Sequence, residues 1–240
     1  MSRLSGIGSC GWLCLPLLTL ATPGSAQAAF VPNYSPPAVF SNPTAVTNVY
    51  LPYRTLSQDV LEGTEEGRPA RVVRTRMPGS RSFTYNGQQV ATIIVVDSSF
   101  VNGNLVEVAH DYYAQSDHGD VYYFGEDVDN YKDGRIANHE GAWLFGTHTN
   151  TLGIMFPVAP KLGDRFNSED VPGITGEHDE VVSVSETVTV PAGTFEHCVK
   201  VKEILTDGAV EYKLYAPGVG IVKELAADGV TSLESHAIQR

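Results

Sequence analysis

Cysteine is scarce in this sequence, with three residues in a chain of 240. Two of them, Cys10 and Cys14, lie in an apolar N-terminal run, so only Cys198 remains in the rest of the chain. A single cysteine cannot form an internal disulfide, which excludes a disulfide scaffold. Cys198 lies in the alternating run F-E-H-C-V-K-V, and this pattern predicts a small buried core residue rather than a catalytic thiol.

Basic residues are also few, because 16 Lys and Arg stand against 28 Asp and Glu, a formal net charge of −12 at pH 7. This balance argues against nucleic acid and anionic membrane surfaces as partners. Common catalytic signatures are absent as well: there is no G-x-S-x-G, no H-E-x-x-H, no glycine-rich phosphate loop and no C-x-x-C. An enzyme would therefore have to be built from residues scattered over several strands.

The only long apolar run is N-terminal. Arg3 precedes the run 10–20, and small residues follow it, with Ala26 and Ala28 in an A-x-A arrangement. This order predicts a secretory signal peptide over residues 1–28, and the small flank favours it over a retained membrane anchor. The apolar core is too short to span a bilayer, and no second apolar span follows. We expect a secreted or periplasmic protein with no integral membrane span in the mature chain.

Helical periodicity is missing, whereas short runs rich in Val, Ile, Thr, Tyr and Phe alternate with turn dipeptides such as Asn86-Gly87, Asn102-Gly103 and Asp133-Gly134. Glycine supplies the positive φ that tight hairpins need, and Asn or Asp tolerates it. The pattern predicts an all-β fold, an antiparallel meander. The predicted strands lie near residues 71–77, 81–86, 88–98, 104–115, 120–131, 135–146, 180–190, 194–206, 210–216, 219–226 and 230–237.

Two stretches lack the strand pattern. Residues 29–70 are rich in Pro, Asn, Ser and Thr and predict an extended lead-in segment. Residues 147–179 predict a long irregular loop. Residues 71–240, including that loop, are predicted to form a single β-barrel-like domain. A meander this long has to manage its sheet edges, which favours a curved half-barrel or barrel, as in lipocalins, with room for a ligand.

The stretch 112–127, YYAQSDHGDVYYFGED, is the densest in aromatic and acidic residues. A two-residue hairpin turn would place Tyr113 opposite Tyr122 and Asp111 opposite Phe124. Alternation then gives one core-like face, with Val106, Val108, His110, Tyr112, Ala114, Val121 and Tyr123. The other face mixes carboxylates with rings and carries Glu107, Asp111, Tyr113, Gln115, Asp120, Tyr122, Phe124 and Glu126.

The mixed face supports three interpretations. The leading one is an exported binding protein for a small amphipathic or glycan-like ligand, since rings supply contact area and polar groups orient the ligand. Its predicted ligand-binding residues are Asp111, Tyr113, Gln115, Tyr122, Phe124, Glu126 and Trp143. The second is an enzyme acting on an extracellular polymer, with Asp111 and Glu126 as the acid–base pair. The third is the solvated outer face of a structural envelope protein.

A metal-binding role is a further alternative, and a metal ion is the one cofactor that the sequence brings into question. Calcium would use carboxylates such as Asp111 and Glu126, although no stretch has EF-hand spacing. Copper would use His139, His148 and Met155. No histidine pair has the H-x-x-x-H spacing of a metal motif, so scattered surface and core histidines are the competing interpretation.

The block D-Y-Y-A-Q-S-D-H-G-D-V-Y-Y-F-G-E-D at 111–127 resembles a motif of secreted bacterial β-rich proteins of unassigned function, D-W-Y-A-Q-D-x-x-G-x-V-W-Y-F-G-E-D. The resemblance continues through N-Y-K-D-G-R-I-A-N-H-E-G-A-W at 130–143 and G-I-M-F-P-V-A-P-K-L-G-D at 153–164. It ends with V-P-A-G-T-F-E-H-C-V-K-V-K-E at 190–203 and Y-K-L-Y-A-P-G-V-G-I-V-K-E at 212–224. It covers most of the chain after the signal peptide.

The pair P-A-G-T-F and Y-A-P-G-V-G is also similar to the end of exported envelope proteins of the lipoprotein-carrier type. The resemblance implies an antiparallel half-barrel or barrel with a concave face, and it implies no reaction. The sequence departs from the family pattern at Tyr112 and Tyr122, where tryptophan is usual. The aromatic character is kept at both positions, so the surface that they form is expected to be kept.

Overall fold

The structure is a computed structural model that describes residues 30–238. The predicted signal peptide lies outside these residues. The described chain forms fourteen strands: β1 (Leu56–Glu65), β2 (Arg68–Tyr85), β3 (Gln88–Val101), β4 (Asn104–Gln115), β5 (Val121–Lys132), β6 (Arg135–Asn138), β7 (Trp143–Leu144), β8 (Gly153–Phe156), β9 (Arg165–Val171), β10 (Thr175–Val190), β11 (Gly193–Leu205), β12 (Val210–Ala216), β13 (Gly220–Leu225) and β14 (Gly229–Ile238).

All strands belong to one antiparallel sheet, with the order β6-β5-β4-β3-β2-β1-β14-β13-β12-β11-β10-β9. The short strands β7 and β8 both pair with β5, and β8 also lies against β9. The sheet is curved and not closed. The predicted all-β, antiparallel, curved architecture is confirmed, and of the two predicted forms the sheet is the open one.

Close approach of β8 to β9 depends on one glycine. A Cβ atom added at Gly153 would lie 1.9 Å from the carbonyl oxygen of Ser168, which is far inside van der Waals contact. Only glycine therefore lets the two backbones come this close. Strand β8 therefore lies between β5 and β9 on the inner side of the open sheet, called the interior below.

Three hairpin turns have the predicted chemistry. Both central residues adopt positive φ at Asn86-Gly87, Asn102-Gly103 and Asp133-Gly134. This conformation is that of the two-residue type I′ turn, whose twist matches the twist of the strands that it joins. Cys198 is buried in the core, also as predicted.

Strands occur in both stretches that the sequence analysis left without them. Strand β1 lies within the predicted lead-in segment and pairs with both β2 and β14. Strands β8 and β9 and the start of β10 lie within the predicted loop 147–179. The prediction missed these strands because their inward-facing residues are often polar, such as Glu65, Ser168 and Glu169, so the apolar alternation is lost.

Residues 30–55, called the strap below, run along the β4–β5 hairpin: the part around Tyr34 and Phe40 covers its outer side, whereas Tyr53 stacks on Tyr113. The phenol of Tyr34 donates a hydrogen bond to Asp120 Oδ1 over 2.5 Å. The ring of Phe40 packs edge-on against Tyr122 and Phe124, with centroid distances of 5.5 and 5.6 Å. The strap thus shields the outer face of this hairpin from solvent.

Candidate functional site

The β4–β5 hairpin has a different register from the one predicted. Asp111 pairs with Glu126, and Tyr113 pairs with Tyr123, so the predicted partners Phe124 and Tyr122 are wrong. Between these pairs β5 has one more residue than β4, a β-bulge, and the hairpin loop is longer than two residues. The Asp111 and Glu126 carboxylates are therefore directly opposite each other.

Gly125 makes the bulge possible. Its φ is 114°, and a Cβ atom there would lie 2.2 Å from the carbonyl oxygen of Trp143. An L-residue would therefore meet both backbone strain and a clash with β7. Because the extra residue shifts the alternation of β5, Tyr123 and Glu126 both face the interior.

The predicted mixed face is consequently split between the two sides of the sheet. Asp111 and Glu126 are 2% and 0% exposed and lie in the interior together with Tyr113. Tyr123 joins them and donates a hydrogen bond to Asp111 Oδ1 over 2.6 Å. Burial raises the pKa of Asp111 to about 6, although the Tyr123 hydroxyl opposes this shift.

Tyr122 and Phe124 lie on the opposite side, beneath the strap. The hydroxyl of Tyr122 donates to the carbonyl oxygen of Pro36 over 2.7 Å. Phe124 is fully buried, and its ring centroid lies 5.3 Å from that of Phe83 and 5.7 Å from that of Phe145. These two predicted site residues form an aromatic cluster under the strap, and neither lies beside the carboxylate pair.

Gln115 holds the strap in place. Its carboxamide oxygen accepts hydrogen bonds from the backbone N–H groups of Thr47 and Asn48, each over 2.7 Å. Its amide nitrogen donates to the Thr47 hydroxyl over 3.1 Å. The carboxamide is engaged at both ends, so its role in the structure is to fasten the strap to β4.

Trp143 lies on β7 opposite Glu126, at the edge of the interior wall. Its indole N–H donates to Glu169 Oε1 over 3.1 Å, and its ring meets Tyr123 edge-on at 5.2 Å. The sequence analysis placed Trp143 at one edge of the site. The structure shows which side chains it contacts there.

The three predicted copper ligands do not share a site. His139 Nδ1 lies 2.8 Å from both the Val128 carbonyl oxygen and Asp129 Oδ1. His148 Nδ1 accepts the Leu144 N–H over 2.9 Å. Met155 lines an interior cavity to which neither histidine contributes.

The interior is unusually rich in carboxyl groups. Among the described residues, thirteen Asp and Glu are buried, but only two buried side chains, Arg74 and Lys213, are Arg or Lys. The acidic residues are Asp59, Glu65, Asp97, Glu107, Asp111, Asp120, Glu126, Glu169, Glu177, Asp179, Glu203, Glu211 and Glu224. Sequence reasoning missed most of them, because strand residues that are polar at alternate positions are ordinarily taken for a solvated face.

Burial is the first cause of the raised pKa values in this interior. It raises the pKa of Glu107 to about 7 and that of Glu211 to about 8. Glu224 is the exception: burial raises its pKa, but Arg74 and then Lys213 outweigh burial, so the net pKa is lowered. The guanidinium group of Arg74 lies 2.9 Å from Asp59 Oδ1 and 3.0 Å from Glu224 Oε1.

On the outer side, a fixed cation lies near the aromatic cluster. Arg81 Nη1 is 2.6 Å from Asp127 Oδ2, and the Tyr112 hydroxyl donates to the same oxygen over 2.6 Å. The guanidinium carbon lies 4.6 Å from the ring centroid of Tyr112 and 5.4 Å from that of Phe83. One carboxylate and two rings therefore hold the Arg81 guanidinium in a single place.

Arg81 borders a groove of about 490 Å³ between β2 and the segment that follows β7. Its walls are Arg81, Ser82, Phe83, Thr84, Leu144, Phe145, Gly146, Thr147 and Asn150. A second groove, of about 540 Å³, lies at the other end of β2. Its walls are Glu62, Gly63, Pro69, Ala70, Arg71, Val73, Phe100 and Gly103. Arg71 Nε lies 3.5 Å from Glu62 Oε1 at that groove.

No protein-family model matches the sequence, and no curated protein matches it. Two solved structures are similar in fold. A candidate exported protein with a YmcC-like fold from Bacteroides fragilis is 17% identical, with a TM-score of 0.41, covering 76% of this chain and 95% of that protein. A candidate lipoprotein from Parabacteroides distasonis is 16% identical, with a TM-score of 0.44. The match covers 79% of this chain and 98% of that protein. Within residues 30–238, no helix is long and apolar enough to cross a membrane.

Proposed function

We propose that the protein is an exported binding protein for a glycan-like ligand, held in the groove beside Arg81. The observation that carries this proposal is the immobilised guanidinium of Arg81 at the edge of a groove of about 490 Å³. Ligand sites for small molecules commonly measure roughly 300–1,000 Å³ and combine ring surfaces with a few fixed polar groups. The groove supplies the polar groups, and its two aromatic side chains, Phe83 and Phe145, are largely buried behind them.

The chemistry of the walls suits a sugar better than a purely apolar molecule. Phe83 and Phe145 lie in the wall but are themselves buried and pack against Phe124, so the accessible lining is mainly polar. Thr84, Thr147 and Asn150 add hydroxyl and amide groups that donate and accept hydrogen bonds. A sugar presents polar edges, so it matches a wall of this mainly polar kind.

Arg81 gives the groove a preference for oxygen-bearing anions. A guanidinium has five N–H donors and forms paired hydrogen bonds with a carboxylate. Burial opposes the charge of Arg81, but Tyr112 and Asp127 outweigh burial and raise its pKa, so the group stays cationic. A uronic acid or another carboxylated sugar is the ligand class that this arrangement favours.

The Asp111–Glu126 pair is less suited to catalysis on a polymer. It lies in the interior, where the cavity next to Tyr113 and Tyr123 measures only about 10 Å³, enough for one water molecule. A polysaccharide chain has no path to this pair in the present conformation. We therefore place the pair in the supporting wall of the fold.

The test measures binding of uronic acid oligosaccharides by saturation-transfer NMR and calorimetry. Neutral oligosaccharides of equal length serve as the comparison. We expect binding of the acidic series, weakened at least about tenfold by Arg81→Met through loss of a charge-assisted hydrogen bond. Arg71→Met, which removes an arginine at the other groove, is the matched control and should leave binding unchanged. No binding of either series, or equal loss in both variants, would refute the site.

Export has its own test. The sequence predicts cleavage after Ala28, so the protein recovered from outside the cytoplasm should begin at Ala29. N-terminal sequencing measures this directly. Recovery of the full-length chain from the cytoplasm alone would contradict this part of the proposal without affecting the groove.

A further inference from the structure

We propose that the interior also contains a site for a hard divalent cation of the calcium class, formed by Glu177, Asp179 and Glu203. Glu211 supplies a fourth carboxylate. The site is independent of the proposed sugar groove, because the four residues lie on β10, β11 and β12 and face the interior.

The register of the strands brings the carboxylates together. Asp179 is directly opposite Glu203, and Glu203 is directly opposite Glu211, so three acidic residues form a row across three adjacent strands. Glu177 is two residues from Asp179 and faces the same side of β10. Like charges directly opposite each other destabilise a sheet, so a row of this kind requires a counter-charge.

The distances fit one ion. Glu177, Asp179 and Glu203 each place one oxygen within 4.8 Å of the other two. Calcium binds oxygen at about 2.3–2.6 Å, so two oxygens on one ion are at most about 5 Å apart. Among the described residues, no other group of three His, Cys, Asp or Glu side chains meets this condition.

Hydrogen bonds hold two of the ligands while leaving oxygens available. Ser168 donates from its backbone N–H to Asp179 Oδ2 over 3.0 Å and from its hydroxyl to Glu177 Oε1 over 3.0 Å. Each carboxyl group is thereby oriented through one oxygen and keeps the other for an ion. Supporting contacts of this type are typical of metal ligands.

Glu211 provides an independent sign of a missing partner. Its side chain is 4% exposed, and its Oε1 atom has no hydrogen-bond partner in the described structure. A buried carboxylate oxygen is ordinarily paired, and one without a partner is destabilising. Burial raises the pKa of Glu211 to about 8, with Lys213 opposing the shift and Glu177 adding to it.

Lys213 is the present counter-ion of the cluster. Its Nζ atom lies 2.7 Å from Glu203 Oε2 and 3.9 Å from Glu177 Oε1. The other buried cation, Arg74, is held by Asp59 and Glu224, so a single ammonium serves four carboxyl groups. A divalent ion would add the charge that is lacking, with the flexible lysine side chain moving aside.

The experiment titrates the purified full chain, after chelator treatment, with Ca²⁺ by calorimetry and with Tb³⁺ by luminescence. Tyr113 and Tyr123 line the adjoining cavity, close enough to sensitise Tb³⁺ emission. We expect one Ca²⁺ per chain, with a Kd in the range of about 10⁻⁴–10⁻³ M that extracellular calcium modules show. No binding at 10-fold above that range, on the order of 10⁻² M, would overturn the proposal.

Variants assign the site. Asp179→Asn and Glu203→Gln should each weaken Ca²⁺ binding at least about tenfold, because each removes one anionic ligand. Lys213→Met should strengthen binding, because the competing ammonium is removed. Asp129→Asn, which changes a carboxylate outside the interior, is the matched control and should have no effect. Circular dichroism confirms that each variant is folded.

Two outcomes with these variants would contradict the proposed ion site. Unchanged affinity in both carboxylate variants, or weaker binding in Lys213→Met, would place the ion elsewhere and overturn the assignment. Arg81→Met separates the two proposals, since it should weaken sugar binding while leaving the Ca²⁺ titration as in the unmodified protein.

Discussion

Arg74→Met removes one of the two buried cations and keeps most of the aliphatic volume of the side chain. Asp59 and Glu224 then remain buried without the guanidinium that lies 2.9 and 3.0 Å from them. Removing one partner of a buried ion pair costs about 3–5 kcal/mol of unfolding free energy. For a chain of this length each kcal/mol changes the Tm by about 2–4 °C, so we expect a fall of about 6–20 °C.

The loss in Arg74→Met should depend on pH. Burial raises the pKa of Glu224, but Arg74 together with Lys213 and the Thr231 hydroxyl outweighs burial, so the pKa lies below the ordinary value of 4.5. A carboxyl group with a lowered folded-state pKa stabilises the protein above its unfolded-state pKa, and this contribution disappears as the pH falls through the folded-state value. The difference between the unmodified protein and the variant should therefore be largest near neutral pH and shrink below about pH 4.5.

Urea unfolding at pH 7.5 and pH 4 measures the effect. Arg71→Met is the matched control, because Arg71 forms an exposed pair with Glu62 that should contribute less than about 1 kcal/mol. A difference below about 1 kcal/mol at pH 7.5, or one of equal size at both pH values, would refute the reasoning that Arg74 neutralises buried carboxylates.

Three further perturbations follow from the interior, the bulge and the strap. Burial raises the pKa of Glu107 to about 7, so the contribution of this side chain to stability is lost as the pH rises from about 4.5 through 7. The Glu107→Gln variant should therefore be more stable than the unmodified protein at pH 8 but not at pH 4. A stability difference of equal size at both pH values would contradict this assignment. Gly125→Ala should lower the unfolding free energy by at least about 1–3 kcal/mol and alter the near-ultraviolet circular dichroism of Trp143. Gly134→Ala is the control: a Cβ atom there meets no atom within 4 Å, so the unfolding free energy should fall by less. Phe40→Ala should speed amide hydrogen exchange in the strap, and unchanged exchange would show that the aromatic cluster does not hold it.

The general fold could be predicted because turn chemistry is local. Asn-Gly and Asp-Gly dipeptides favour positive φ through local sterics, and Asn86-Gly87, Asn102-Gly103 and Asp133-Gly134 have positive φ at both residues, whereas Asp207-Gly208 has it at the glycine alone and Asp228-Gly229 at neither residue. Strands such as β9 could not be predicted, since Ser168 and Glu169 face inward and are satisfied by long-range partners such as Glu177 and Trp143. Their burial depends on contacts that alternation along one strand does not encode.

The site was predicted only in part for a related reason. Asp111, Tyr113, Glu126 and Trp143 do meet on one wall, but Tyr122 and Phe124 face the other side because of the bulge. The signal for the bulge is present in the sequence as Gly125 within an otherwise aromatic strand. A shift of one residue reverses every later side chain, so the faces of this hairpin could be assigned only with the bulge located.

The strap has a consequence for the order of folding. Synthesis delivers its residues first, yet Asn33 bonds to Gly163 and to the backbone N–H of Arg165, some 130 positions later. Strand β1 likewise waits for β14, at the far end of the chain. Residues 30–65 are therefore made long before their partners, and contacts this distant in sequence are typical of slow folding. A chain interrupted before residue 165 would leave the aromatic side of the β4–β5 hairpin without these anchors for its cover.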